Sequence, residues 1–159
     1  MTTADLRAHI VPGASVRLQL IEGRTYSLGG TQLEVPAGAS VLVSSPGAGA
    51  TIDGEGLSRF FRVLGTLNVN NVWFVNGAVS VADVAFTSST GQTSTAVGGA
   101  AMVVESGATA ALTNVAIEGV TATSSLGLGL VAGGVFYVTS GATSTLTNVT
   151  IEGVTAASS

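Results

Sequence analysis

A 34-residue repeat limits what this 159-residue chain can fold into more than any other feature. Residues 99–125 align with residues 133–159 without gaps, and 18 of the 27 aligned positions are identical. The shared core reads SGAT, LTNV and IEGVTA. Apolar and polar residues alternate within each copy, as at Val103, Ala110, Leu112, Val115 and Ile117, and the three-and-four spacing of a helix is missing. Each repeat is therefore several short strands, which bury their apolar face only by stacking on a neighbouring copy.

Gly and Asn separate the strands, not matched two-residue hairpin turns, which argues against a meander. The arrangement that sets like residue over like residue is an all-β solenoid, a parallel β-helix with coils about 4.8 Å apart. Asn71, Asn114 and Asn148 are expected at one corner of successive coils, where a short amide tolerates the left-handed conformation and can form a ladder. Asp83 is expected at that corner in a coil between Asn71 and Asn114. The first half (VRLQL, TQLEV, SVLVSS, RFFRV, TLNVN, VWFVN, VSVAD) follows the same plan with more divergence. The chain reads as one domain of residues 1–159, with a cap over 1–15, divergent coils over 16–97 and two clear repeats over 98–159. Residues 3–10, TADLRAHI, are expected to supply a helical turn within the cap, covering the open edge of the first coil.

Only 9% of residues are charged, so Ser, Thr and Asn must keep the chain in solution. Nine acidic residues against five basic ones, all Arg, leave a net charge of −4 and no basic run to neutralise phosphates, which excludes nucleic acid as a partner. The lack of Cys excludes disulfides, thiolate catalysis and cysteine-bound zinc. The uncharged run at 126–138 is thirteen residues long with four Gly, short of the roughly 20 apolar residues of a membrane span. TTADLRAH after Met1 lacks the basic start and apolar run of a secretory signal. The compartment is left open, and would be extracellular or cell-surface if a signal had been removed.

GRTYSLGG, VPAGASVLVSS and ATIDGEG in the first half, with Gly98-Gly99-Ala100 and Gly133-Gly134-Val135 at the repeat starts, resemble the right-handed parallel β-helix proteins of the pectate-lyase-like superfamily. Among them the chain is most similar to polymorphic outer-membrane-protein and adhesin-type repeats, over nearly its whole length. The usual F-x-x-N-x-A segment of those repeats is altered, with Ile117 and Ile151 standing for Phe and Val120 and Val154 for Asn. The pectinolytic members imply a sugar-cleaving enzyme that uses clustered Asp beside Lys, Arg or His. This chain has Asp5, Asp53 and Asp83 in the cap or in separate coils, His9 alone near the terminus and no Lys, so loss of catalysis is expected.

No catalytic, cofactor or metal residue is assigned. Glu118 and Glu152 should stack one coil apart, near the roughly 5–5.5 Å of a retaining glycosidase pair, but a copied repeat places them there without any catalytic need. Asp53 and Glu55 could offer oxygens to calcium, though two turn carboxylates are more often only solvated. Residues 127–132 match G-x-G-x-x-A without the strand-then-helix context of a dinucleotide site. Asn148-Val-Thr150 is a glycosylation sequon whose Asn is expected in the ladder.

Alternation turns Thr109, Thr113, Thr143, Thr145 and Thr147 outward as a small ligand face resembling the rows of ice-binding β-helices, interrupted by Ser80 and Ala82; ordinary strand propensity also explains it. The connections 88–98 and 122–132 should project from one side. Leu126, Leu128, Leu130 and Val131, with Trp73 lying outward above Ala85, Ala116 and Thr150, are candidates for docking a partner. The last coil, open in mid-repeat, is expected to meet another chain, another copy or further sequence. The expected function is a non-catalytic scaffold or binding module docking a protein partner in a larger assembly. The alternatives are an adhesin-like or carbohydrate-binding domain, and a residual polysaccharide-active lyase or hydrolase.

Overall fold

A computed structural model describes residues 1–80, 84–87, 93–124, 131–132 and 134–158, with the backbone alone at 84–87, 93–97, 124, 131–132 and 158. The chain is mostly strand, and its strands stack in parallel sheets consistent with a parallel β-helix. The helix α1 (Thr3–His9) precedes the first coil of β1 (Ser15–Gln19), β2 (Thr25–Ser27) and β3 (Leu33–Val35). The second coil holds β4 (Ser40–Ser44), β5 (Ala50–Asp53) and β6 (Phe61–Val63). The third holds β7 (Thr66–Val75), β8 (Ala78–Val79), β9 (Val84–Thr87), β10 (Thr93–Gly98) and β11 (Met102–Val104). The fourth holds β12 (Thr109–Glu118), β13 (Thr121–Ser124), β14 (Val131–Ala132) and β15 (Phe136–Val138), and the fifth β16 (Thr143–Glu152) and β17 (Thr155–Ser158).

Three stacks define the walls, in the orders β1-β4-β7-β12-β16, β3-β6-β11-β15 and β8-β13-β17. Ser15, Ser40, Thr66, Thr109 and Thr143 are successive register partners, so the winding advances by 25, 26, 43 and 34 residues. The 34-residue period is thus the last step alone. The 43-residue step contains an antiparallel hairpin, β9 against β10, the exception to the expectation that hairpins are absent. The hairpin lengthens one coil; it does not add another. β7 therefore lies directly on β12, with Asn70 beside Thr113 and Val72 beside Val115. This corrects the expected position of Asp83, which lies outside the described residues, because no coil separates Asn71 from Asn114. It likewise puts Ala116 and not Ala85 beside Trp73, and Thr66, Asn68 and Asn70, not Ser80, beside the outward Thr rows, while Ala82 lies outside the described residues.

The inward residues fill a single core in which the rings of Phe60 and Phe74 stack at 4.9 Å and Phe61 meets Phe74 edge-on at 5.9 Å. Turns between coils use Gly at positive φ ahead of Ala: Gly38 (φ 75) and Gly107 (φ 78) let Ala39 and Ala108 donate their N–H groups to Pro36 and Glu105 carbonyls. Only Gly takes this third turn position cheaply. At the other end, α1 begins with a reciprocal cap in which the Asp5 N–H donates to Thr2 Oγ1 and the Thr2 N–H to Asp5 Oδ2. The helix buries Leu6 in the core. Arg7 ties it to the first coil by donating to the carbonyls of Gln32 (2.7 Å), Leu28 (2.8 Å) and Thr31.

Candidate functional site

The corner residues set the geometry of the longest wall. Asn71, Asn114 and Asn148 have φ of 57, 53 and 51, so each bends its ten-residue strand at a single left-handed position. Asn148 Nδ2 donates to Asn114 Oδ1 at 2.8 Å. The same nitrogen would carry a glycan at the sequon. The Asn71 amide instead donates to the Ser45 and Gly47 carbonyls, both at 3.0 Å, because the coil beneath turns this corner with residues 45–49 and not with a single Asn. A second left-handed corner, at Asn76, Gly119 and Gly153, was not foreseen (φ 55, 62 and 63). Its signal was the Asn-Gly pair at 76–77, aligned with Gly119 when residues 66–76 are set against 109–119.

Before the Asn corner, alternation sends three columns of side chains outward across all five coils. They are Ser15, Ser40, Thr66, Thr109, Thr143; then Arg17, Leu42, Asn68, Ala111, Thr145; then Gln19, Ser44, Asn70, Thr113, Thr147. Twelve of these fifteen side chains end in a hydroxyl or an amide and one, Arg17, is charged, so the face offers many neutral donors and acceptors. Four coil steps make it about 19 Å long. A shallow groove of about 400 Å³ runs along its first four coils, lined by Ser15, Arg17, Ser40, Leu42, Asn68, Asn70, Ala111 and Thr113 among others. The Thr rows at Thr109, Thr113, Thr143, Thr145 and Thr147 are the last two coils of this face. Its first three coils escaped the sequence reading because their repeat step is not 34.

Beyond the Asn corner, Trp73 points outward and is 51% exposed, in register with Thr51, Ala116 and, one coil on, Thr150. Glu118 and Glu152 are register partners on the same wall, both exposed. Asp53 and Glu55 are engaged in holding the turn: the Glu55 N–H (2.8 Å) and Asn76 Nδ2 (3.1 Å) donate to Asp53 Oδ1, and the Gly29 N–H donates to Glu55 Oε2 (2.7 Å). Among the described residues no three His, Asp or Glu gather where they could share a metal ion. Leu126, Leu128 and Leu130 lie outside the described residues, and Val131 is described only as backbone in β14. No helix among the described residues is long and apolar enough to cross a membrane.

The fold and this face define a mostly-strand solenoid with one long polar wall. Compared with known protein families, curated proteins and solved structures, the chain matches none.

Proposed function

We propose that this chain is a non-catalytic scaffold, a right-handed parallel β-helix akin to the pectate-lyase-like and adhesin-type repeats, that holds an extended hydroxyl-rich polymer of the polysaccharide class. The observation that carries the reading is the in-register polar face from Ser15 to Thr147, with a groove along its first four coils. Hydroxyls and amides repeated along the axis match a ligand that repeats its own hydroxyls, and a rigid wall adds little ordering cost on binding. The Glu118 and Glu152 pair stands past the Asn corner, on the other segment of the wall. A second reading, docking of a protein partner, is favoured by Trp73, a large exposed ring whose register neighbours on the wall are the small residues Thr51 and Ala116.

Affinity electrophoresis through gels carrying neutral polysaccharides tests the first reading. Parent protein should be retarded, and Asn68→Ala with Asn70→Ala, both exposed and outward, should weaken retention about tenfold at unchanged circular dichroism. Retention unaltered by both substitutions, or none on any polymer, rejects the polar face as the site. Cleavage of a retained polymer that disappears in Glu118→Gln would replace the scaffold with an enzyme.

A further inference from the structure

Past the Asn corner the outward side of the long wall changes character. One column holds the exposed Trp73 between Thr51 and Ala116. The next holds Val75 between Asp53 and Glu118, with Glu152 one coil further on. Trp73 is therefore one coil and two residues away from Asp53 on one side and from Glu118 on the other, about 8 Å between backbone positions in each direction. Every charge in these two columns is negative, whereas the polar face before the corner carries only Arg17. The chain has no Lys, and its five Arg do not serve this surface: Arg7, Arg24 and Arg62 are engaged elsewhere, Arg17 stands across the corner and Arg59 is buried. Asp53 is braced within its turn, but Glu118 and Glu152 have no ion-pair partner among the described residues. We infer that this part of the wall docks a partner protein through an extended, arginine-bearing segment, with a guanidinium stacked on the Trp73 indole and reaching to Glu118.

The inference deepens the protein-docking reading of Trp73 and rests on it; what it adds is the chemistry of the partner. Trp is the aromatic that holds a cation best, and Arg is the cation most often found there. A guanidinium suits this surface better than an ammonium because it is planar: it stacks on the ring while its N–H groups stay free, edge-on, for a carboxylate. Thr51 and Ala116 are too short to cover the indole, which leaves its 51% exposure available to a ligand. The outward side of a sheet would hold a small cation from one side only. An extended segment instead brings a like-facing side chain at every second residue, so that one Arg meets Trp73 and Glu118 and another meets Glu152. An acidic segment would set like charges against Glu118, and the net charge of −4 also favours approach of a basic one.

Trp73 is the sole Trp of the chain, so its emission reports on the site directly. Titration of the whole chain with a peptide of alternating Arg and Ser should change that emission saturably, and less so as salt is raised. The same peptide with citrulline in place of Arg, equal in shape but uncharged, should bind at least about tenfold more weakly. With the Arg peptide labelled for fluorescence anisotropy, Trp73→Ala and Glu118→Gln should each weaken binding about threefold at unchanged circular dichroism, both side chains being exposed. Glu34→Gln, on the β3-β6-β11-β15 stack, should leave binding as it was. Equal binding of the citrulline peptide, with Trp73 still required, overturns the basic partner and keeps the docking reading. Equal losses in Glu34→Gln and Glu118→Gln trace binding to net charge and overturn the site. No change in emission with either peptide overturns the inference together with the docking reading beneath it. None of these results bears on the polar face across the Asn corner, so the polysaccharide reading stands or falls separately.

Discussion

Leu112 and Leu146 are the same residue at the same place in successive coils, yet one is sealed in the core and the other is open to water. Leu18 in the first coil is also buried, in one core with Leu6 and Ile10 of the helical cap and in register with Val43 of the second coil. The difference shows that burial in a solenoid belongs to the stack and not to the strand. Each coil is only half a core, and the same sequence carries very different energy depending on whether a neighbour completes it.

Paired substitutions break that comparison most directly. Leu112→Ala should cost about 2–5 kcal/mol, the range for a buried leucine, whereas Leu146→Ala should cost below about 1 kcal/mol, both read from urea unfolding. Equal losses would mean that the last coil is as well covered as the fourth. The Asn corners sharpen the contrast at intermediate size. Asn71→Ala should cost about 2 kcal/mol, because it adds left-handed strain and leaves the Ser45 and Gly47 carbonyls short of a donor. Asn148→Ala, which loses one exposed amide bond, should cost nearer 1 kcal/mol by the same measurement, and Asn148→Gly less than either.

The smallest effect belongs to the cap. Hydrogen bonds from the Thr2 backbone and hydroxyl group hold the Asp5 carboxyl below its ordinary value of 3.8, against a weaker opposing effect of desolvation. A pKa lowered by folding contributes stability fully present above the ordinary value and lost as pH falls through the lowered one. The protection of the Leu6 amide, its exchange rate relative to an unstructured amide at the same pH, should therefore fall only below about pH 4, ahead of the strands, and should be lower at every pH in Asp5→Asn. A cap whose exchange follows global unfolding at all pH values would make the first coil and its helix a single unit.

Much of the last two coils could be read directly. LTNV and IEGVTA recur at 34 residues, so parallel stacking, the inward set Leu112, Val115 and Ile117, and the bends at Asn114 and Asn148 follow from period-two alternation plus the steric tolerance of Asn. The third coil was misread because its step is 43 residues, and a hairpin insertion leaves no mark on alternation. Setting TLNVNNVWFVN against TAALTNVAIEG would have found it, since Asn71-Val72 then falls on Asn114-Val115. The polar face was seen only as Thr rows for the same cause: Ser40, Asn68 and Asn70 join it through register, not through identity.

The amino-acid sequence by itself determined that this chain is a strand solenoid with a polar, nearly uncharged exterior and no cysteine or lysine chemistry, because alternation and composition are local properties. Which residues share a wall, how long the groove runs and which coil lacks a cover were decided only by the tertiary structure. Coils of 25, 26, 43 and 34 residues come into register through hydrogen bonding between neighbouring strands, and that pairing depends on what each turn does with its extra residues.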